Sequence, residues 1–186
     1  MCDFLLDLFR AMPKVELHMH LDGALTVRTA IELMTEGGGA ATDRAGNTSG
    51  ATAPAEPKGG AFAPLSYEAL HRRLVIGASL SARPTQAELL GYYDLPIALL
   101  QSEEALARVT DELLRAKAAD RVRYCEIRWA PALHCNEGLR VRQVVESVAR
   151  ATRTACARYD IRARLIVVGM RFHAPEANVA MLREAA

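Results

Sequence analysis

The sequence of 186 residues lacks an excess of charge of either sign and lacks a long apolar run. Its formal net charge of +1 gives no electrostatic basis for binding nucleic acid or an anionic membrane surface. No stretch approaches the ~18 consecutive apolar residues that a membrane-spanning helix requires. We therefore expect a protein without nucleic-acid or membrane partners.

Paired-cysteine motifs are also missing. The four cysteines are dispersed without C-x-x-C spacing, which excludes a zinc ribbon and a thioredoxin-like site. Residues 1–12 lack the basic start of a secretory signal and carry Asp3 and Asp7, so they predict a short amphipathic helix instead. Dispersed cysteines without a signal are typical of reduced thiols, and we expect a cytoplasmic protein.

The most informative segment that is present is PKVELHMHLDG, residues 13–23, which reads as a strand followed by a turn. Side chains alternate along a strand, so His18 and His20 should share one face with Lys14 and Glu16. Two imidazoles at a strand end can bind one divalent ion, although zinc normally takes three or four protein ligands. One H-x-H pair among five histidines can also arise by chance. The strand before it and the Asp-Gly turn after it favour a metal site.

Downstream, the hydrophobic periodicity predicts alternating helices and strands. A helix capped by Ser102 precedes a strand over 122–129, and a helix over 141–159 precedes a strand over 162–169. A last helix starts near residue 175. This order is typical of a parallel α/β sheet with crossover helices. About three strand–helix units fit the chain, whereas an eight-unit barrel needs ~250 residues.

Residues 37–64 differ from the rest in composition, since they are rich in Gly, Ala, Thr and Pro and almost free of large apolar side chains. Such a segment buries too little surface to offset its ordering entropy. We predict a low-complexity, disordered insertion, with a lid over a site as the less favoured interpretation.

Three segments carry a resemblance to a known family. PKVELHMHLDG closely resembles the opening of adenosine deaminases. VRYCEIRWAP, residues 122–131, is similar to the second barrel strand of that family, and residues 138–171 are similar to its next helix and third strand. The resemblance is to the bacterial type and implies that residues 1–186 form a partial catalytic domain. The implied fold is the N-terminal part of a (β/α)8 TIM barrel, incomplete in this chain.

The resemblance also implies an activity, namely zinc-dependent hydrolysis of adenosine or deoxyadenosine to inosine or deoxyinosine and ammonia in purine metabolism. By match to the motif, His18 and His20 would bind Zn²⁺, and His20 and Asp22 would contact the substrate, Asp22 at the ribose 5′-hydroxyl. Zinc lowers the pKa of water bound to it, so that hydroxide is available near neutral pH to attack the purine. The H-x-E and P-C-x-x-C signature of cytidine-deaminase-type sites is absent from the sequence.

Other family motifs are missing from the sequence. The third histidine ligand, the catalytic glutamate, a second histidine and a metal-binding aspartate belong to His-Ala-Gly-Glu, Gly-His-Gly and Thr-Asp-Asp segments, none of which occurs here. We therefore expect no catalytic acid or base in this chain, and an inactive protein when it is alone. Two alternatives stay open. One is a deaminase of adenine nucleotides such as N6-modified AMP, against which Asp22 argues because a carboxylate repels a 5′-phosphate. The other is a non-catalytic adenosine deaminase-like fragment.

The remaining polar residues give weaker signals, and the sequence leaves the oligomeric state open. Glu126 and Arg128 share a strand face, and we predict a structural ion pair. His134 and Cys135 are adjacent on a loop, which makes them poor chelators without partners. His173 lies just past a strand end with no partner evident.

Overall fold

The computed structural model describes residues 2–36, 66–77 and 84–186, which divide into two compact units. The first unit comprises Met1–Ala24 and Leu100–Ala186 and contains the sheet, and the second comprises Leu25–Leu99 and is helical. The predicted insertion at residues 37–64 lies outside the described residues.

The described elements follow the order that the sequence predicts. The predicted strand over 122–129 and helix over 141–159 are confirmed at both ends, whereas the strand predicted over 162–169 ends two residues earlier. The predicted N-terminal helix is also confirmed. In chain order the elements are α1 (Cys2–Ala11), β1 (Lys14–His20), a 3₁₀ turn (Asp22–Ala24), α2 (Val27–Glu36), α3 (Tyr67–Leu74), α4 (Gln86–Leu90), a 3₁₀ turn (Gly91–Tyr93), α5 (Asp94–Leu99), α6 (Glu103–Ala119), β2 (Val122–Trp129), a 3₁₀ turn (Pro131–His134), α7 (Val141–Tyr159), β3 (Arg162–Val167) and α8 (Pro175–Ala185).

The sheet of the first unit has three strands in the order β1-β2-β3, and both neighbouring pairs are parallel. Parallel neighbours need a crossover, and α6 and α7 supply one each, packing against one another. Ser102 caps α6 as predicted, because its Oγ accepts from the backbone N–H of Ala105 at 3.1 Å. Apolar burial stabilises this layer, at about 1.5–3 kcal/mol for each fully buried large side chain. The large apolar side chains that are fully buried in these elements are Leu106, Val109, Leu114, Ile127, Trp129, Val144 and Val148.

A bulge in β1 overturns part of the predicted alternation. Glu16 is the register partner of Cys125, whereas His20 is the partner of Arg128, so β1 advances four residues while β2 advances three. Cys125 and Arg128 are three residues apart and point to opposite faces of β2, and their partners do the same. The Glu16 carboxylate lies 3.3 Å from the Nζ of Lys117 on α6. Glu16 therefore faces the helix layer, and the prediction that it shares the histidine face is wrong.

The second unit is a small helical assembly of α2 to α5. Its core contains Val27, Leu70 and Leu95, with partly buried apolar residues from the same helices around them. The Thr26 hydroxyl accepts from the backbone N–H of Thr29 at 3.1 Å and so caps the start of α2. Within the described ranges, no helix combines the length and apolarity needed to cross a membrane.

Candidate active site

The last three residues of β1 bring two histidine rings together at the carboxyl end of the sheet. The Nε2 atoms of His18 and His20 lie 3.2 Å apart, and their ring centroids are separated by 5.3 Å. Two nitrogens bound at ~2.0–2.1 Å to one tetrahedral zinc ion lie about 3.3 Å from each other. The converging pair therefore fits two ligand positions of one zinc ion.

The surroundings of His20 favour the neutral imidazole that binds metals. Burial lowers the pKa of His20, and the neighbouring His18 and Arg128 lower it further. Arg128 is the register partner of His20 on β2, and its guanidinium donates to the carbonyl oxygen of Leu17 at 3.3 Å. Neutral histidine can coordinate zinc, whereas the protonated ring cannot.

The donor set at this position consists of two residues. Among residues 2–36, 66–77 and 84–186, no group of three or more His, Cys, Asp or Glu side chains is arranged to hold a metal ion. His173, which also follows a strand, instead contacts the ring of Phe172 edge-on at 4.8 Å between centroids. The described residues thus provide fewer ligands than the three or four that zinc normally takes.

Asp22 lies two residues beyond the histidine pair and opens the 3₁₀ turn after β1. The backbone N–H of Leu21 donates to the carbonyl of Arg128 at 3.0 Å, so sheet pairing continues past the strand and holds this turn against β2. Only 5% of Asp22 is exposed, and its Oδ1 has no hydrogen-bond partner in the part of the chain that the structure describes. Burial raises the pKa of the carboxyl group, while His134 and the backbone N–H groups of Asp22 and Gly23 lower it.

Sequence reasoning treated His134 only as a poor chelator and did not predict its interaction with Asp22. His134 ends the 3₁₀ turn that follows β2, is fully buried, and interacts electrostatically with Asp22. Burial lowers the pKa of His134, and the Asp22 carboxylate raises it. The neighbouring Cys135 thiol donates elsewhere, to the carbonyl of Pro131 at 3.3 Å. The available signal was positional, because Asp22 and His134 each follow a strand of one parallel pair and so lie at the same sheet edge.

The predicted ion pair between Glu126 and Arg128 does not form, although both residues lie on the histidine face of β2 as expected. Glu126 instead accepts a hydrogen bond from the hydroxyl of Tyr124 at 2.9 Å. Arg128 is held by the Leu17 carbonyl, so each side chain has another partner.

Comparison with known proteins identifies relatives over most of the sequence. The family model described as adenosine deaminase matches residues 77–186. An adenosine deaminase from Clostridium perfringens is 34% identical over 173 residues, which cover 93% of this chain and 45% of that protein. The chain therefore spans about half the length of the curated relatives it matches.

Two solved structures share the fold. An adenine deaminase from Arthrobacter aurescens aligns with a TM-score of 0.70 at 23% identity, covering 94% of this chain and 45% of that one. An amidohydrolase from Burkholderia ambifaria with bound zinc aligns with a TM-score of 0.68 at 24% identity, covering 96% and 41%. These alignments confirm that the sheet and its helices are the N-terminal part of a TIM barrel.

Proposed function

Because the chain belongs to the adenosine deaminase family, we propose that it supplies the first two zinc ligands and the ribose-binding carboxylate of an adenosine deaminase. The reaction is hydrolysis of adenosine or deoxyadenosine to inosine or deoxyinosine and ammonia. The observation that carries the proposal is the 3.2 Å convergence of the His18 and His20 Nε2 atoms at the carboxyl end of β1. In barrels of this kind, active sites lie at that end of the strands.

His18 and His20 would hold the metal through Nε2. Zinc supplies the Lewis acidity that makes water nucleophilic near neutral pH. The amidohydrolase with bound zinc supports this assignment through its shared fold.

Asp22 would accept a hydrogen bond from a ribose hydroxyl. A buried carboxylate is a strong acceptor when a donor reaches it, since hydrogen bonds to charged groups contribute about 1.5–3 kcal/mol. The same negative charge repels a 5′-phosphate, and the substrate of choice is therefore a nucleoside rather than a nucleotide.

The chain by itself supplies no catalytic acid or base in this proposal. The family segments that carry those groups, such as His-Ala-Gly-Glu, are absent from the sequence. Glu126 is on the correct face of the sheet, but its carboxylate is engaged by the hydroxyl of Tyr124. We therefore propose that residues 1–186 do not deaminate adenosine alone.

An inosine assay tests both parts of the proposal. The purified chain with zinc should give no turnover, and robust inosine formation would defeat the claim that it is inactive alone. A chimera that joins this chain to the remaining half of the C. perfringens relative should deaminate adenosine. In that chimera His18→Ala should abolish turnover, while His71→Ala, on helix α3 of the other unit, is the matched control and should retain it. A folded, zinc-loaded chimera that does not deaminate adenosine would refute the assignment.

A further inference from the structure

The side of the sheet that faces away from α6 and α7 carries three arginines. The register of β2 and β3 pairs Tyr124 with Arg162, and Glu126 with Arg164. Register partners on neighbouring strands point to the same face of a sheet, so these residues share the face on which Arg128 lies. We call this side of β2 and β3 the inner face. It consists of Tyr124, Glu126, Arg128, Arg162, Arg164 and Ile166.

The charges on the inner face do not balance. Its three guanidinium groups are accompanied by one carboxylate, that of Glu126, which accepts a hydrogen bond from the Tyr124 hydroxyl at 2.9 Å. The neighbouring strand β1 adds no second carboxylate, because Glu16 faces the helix layer and is paired with Lys117 there. The three strands thus present an excess of positive charge on this side.

Arg162 and Arg164 account for that excess. Both residues are exposed. Among residues 2–36, 66–77 and 84–186, neither side chain forms an ion pair or a hydrogen bond. They lie on β3, which has β2 as its one neighbour among the described strands, so the other edge of β3 is free. Water can solvate both guanidinium groups as long as this face and this edge stay open.

A complete barrel changes those surroundings. The interior of a TIM barrel is a packed core, and closure leaves its strands without free edges. This chain corresponds to 45% of the length of the relative from Clostridium perfringens, so a complete domain has room for the strands that would cover this face. A guanidinium that loses water without gaining a counterion strongly destabilises the folded state.

We propose that the free edge of β3 receives a parallel strand from the other half of the barrel, and that this strand presents carboxylates beside Arg162 and Arg164. Charge complementarity selects this occupant over a second copy of the chain. Pairing β3 with β3 of a second copy would bring like charges together, and β1 offers no carboxylate on that face. The proposal rests on the barrel fold and does not depend on the deaminase reaction.

The isolated chain tests whether the two arginines are free to accept such a partner. Arg162→Gln and Arg164→Gln should leave the unfolding constant in urea within about twofold of the original chain, because neither change removes an ion pair. An increase of more than about tenfold would overturn the proposal, since the arginine would already have its counterion within this chain. Sedimentation equilibrium should show a monomer, and a dimer that Arg164→Glu dissociates would identify a second copy as the occupant instead.

The chimera with the remaining half of the C. perfringens relative supplies the occupant. There Arg164→Glu should raise the unfolding constant at least about tenfold, because it places like charges together inside the barrel, whereas Arg164→Lys should restore most of the stability. The matched control is Arg153→Glu, which reverses an exposed arginine on α7. Equal costs of reversal at Arg164 and Arg153 would overturn the proposal. Unfolding needs no turnover, so this result is distinct from a failure of the proposed function.

Discussion

Asn178 and Met170 are joined by a pair of hydrogen bonds across the loop that leaves β3. The side-chain Oδ1 of Asn178 accepts from the backbone N–H of Met170 at 3.0 Å, and its Nδ2 donates to the carbonyl of the same residue at 2.8 Å. A Cβ on Gly169 would lie 3.0 Å from that Oδ1, which is tighter than nine in ten real Cβ contacts, so the Asn178 amide would have to move by a few tenths of an ångström. The start of α8 and the end of β3 are therefore fixed to one another by one amide.

Replacing Asn178 should loosen this loop and relieve the constraint on Gly169. We expect Asn178→Ala to lower the free energy of unfolding by about 1–3 kcal/mol, because it leaves the Met170 groups without their partner. Gly169→Ala should be destabilising in the native background and much less so in Asn178→Ala. Urea titrations of the four proteins measure this, and equal costs of Gly169→Ala in both backgrounds would contradict the model of a clash.

Zinc binding by the isolated chain should be weak and should depend on both histidines. Two imidazoles supply fewer ligands than the three or four of a complete site, so competition with a chromophoric chelator should show much lower affinity than structural zinc sites have. His18→Ala or His20→Ala should remove the binding. His173→Ala is the control, and a comparable loss in that variant would place the metal elsewhere.

In the chimera, Asp22→Asn should weaken activity on a nucleoside substrate but not on a nucleotide substrate. Losing the charge on a hydrogen bond of about 1.5–3 kcal/mol should raise KM for adenosine roughly tenfold to hundredfold. Activity on AMP should not fall, because the repulsion of a 5′-phosphate is removed. Initial rates on both substrates give the comparison, and an unchanged KM for adenosine would argue against ribose recognition by Asp22.

Cys125 should make stability fall at alkaline pH. Burial raises the pKa of its thiol from 9.0 to about 11, with a further contribution from Cys156. Between those values the unfolded chain loses the thiol proton while the folded chain keeps it, so the unfolding free energy decreases as pH rises from 9 to 11.

The size of this effect is limited to a slope of about 1.4 kcal/mol per pH unit for one proton. Cys125→Ala should show a shallower decline over the same window, whatever its stability at neutral pH. Unfolding curves at half-unit steps of pH test the difference in slope, and parallel declines would mean that another group is responsible.

The regular elements of the first unit could be predicted because their signals are local. Apolar and polar residues largely alternate from Val122 to Trp129, and the helix from Val141 to Tyr159 repeats its apolar positions every three or four residues. The bounds of each element can therefore be predicted from its own residues. The convergence of His18 and His20 was predictable for the same reason, since both lie on one short strand.

What the sequence could not reveal depends on partners distant in the chain. The β1 bulge exists only relative to the register of β2, so alternation within β1 alone placed Glu16 on the wrong face. The interaction of Asp22 with His134 links residues more than a hundred positions apart, and it emerges only when the ends of two parallel strands are brought together. Adjacent His134 and Cys135 looked like a weak chelating pair because the burial that separates their roles is a tertiary property.

Because β1, β2 and β3 run parallel, their carboxyl ends all lie at the same end of the sheet. β1 has a single neighbour among the described strands, and His18 and His20 stand at its carboxyl end. A strand that joins the free margin of β1 in the same direction brings its own carboxyl end, and the side chains that follow it, beside the histidines. A strand that joins in the opposite direction brings its amino end there. The direction of strand addition therefore decides whether further donors reach the histidine pair at all.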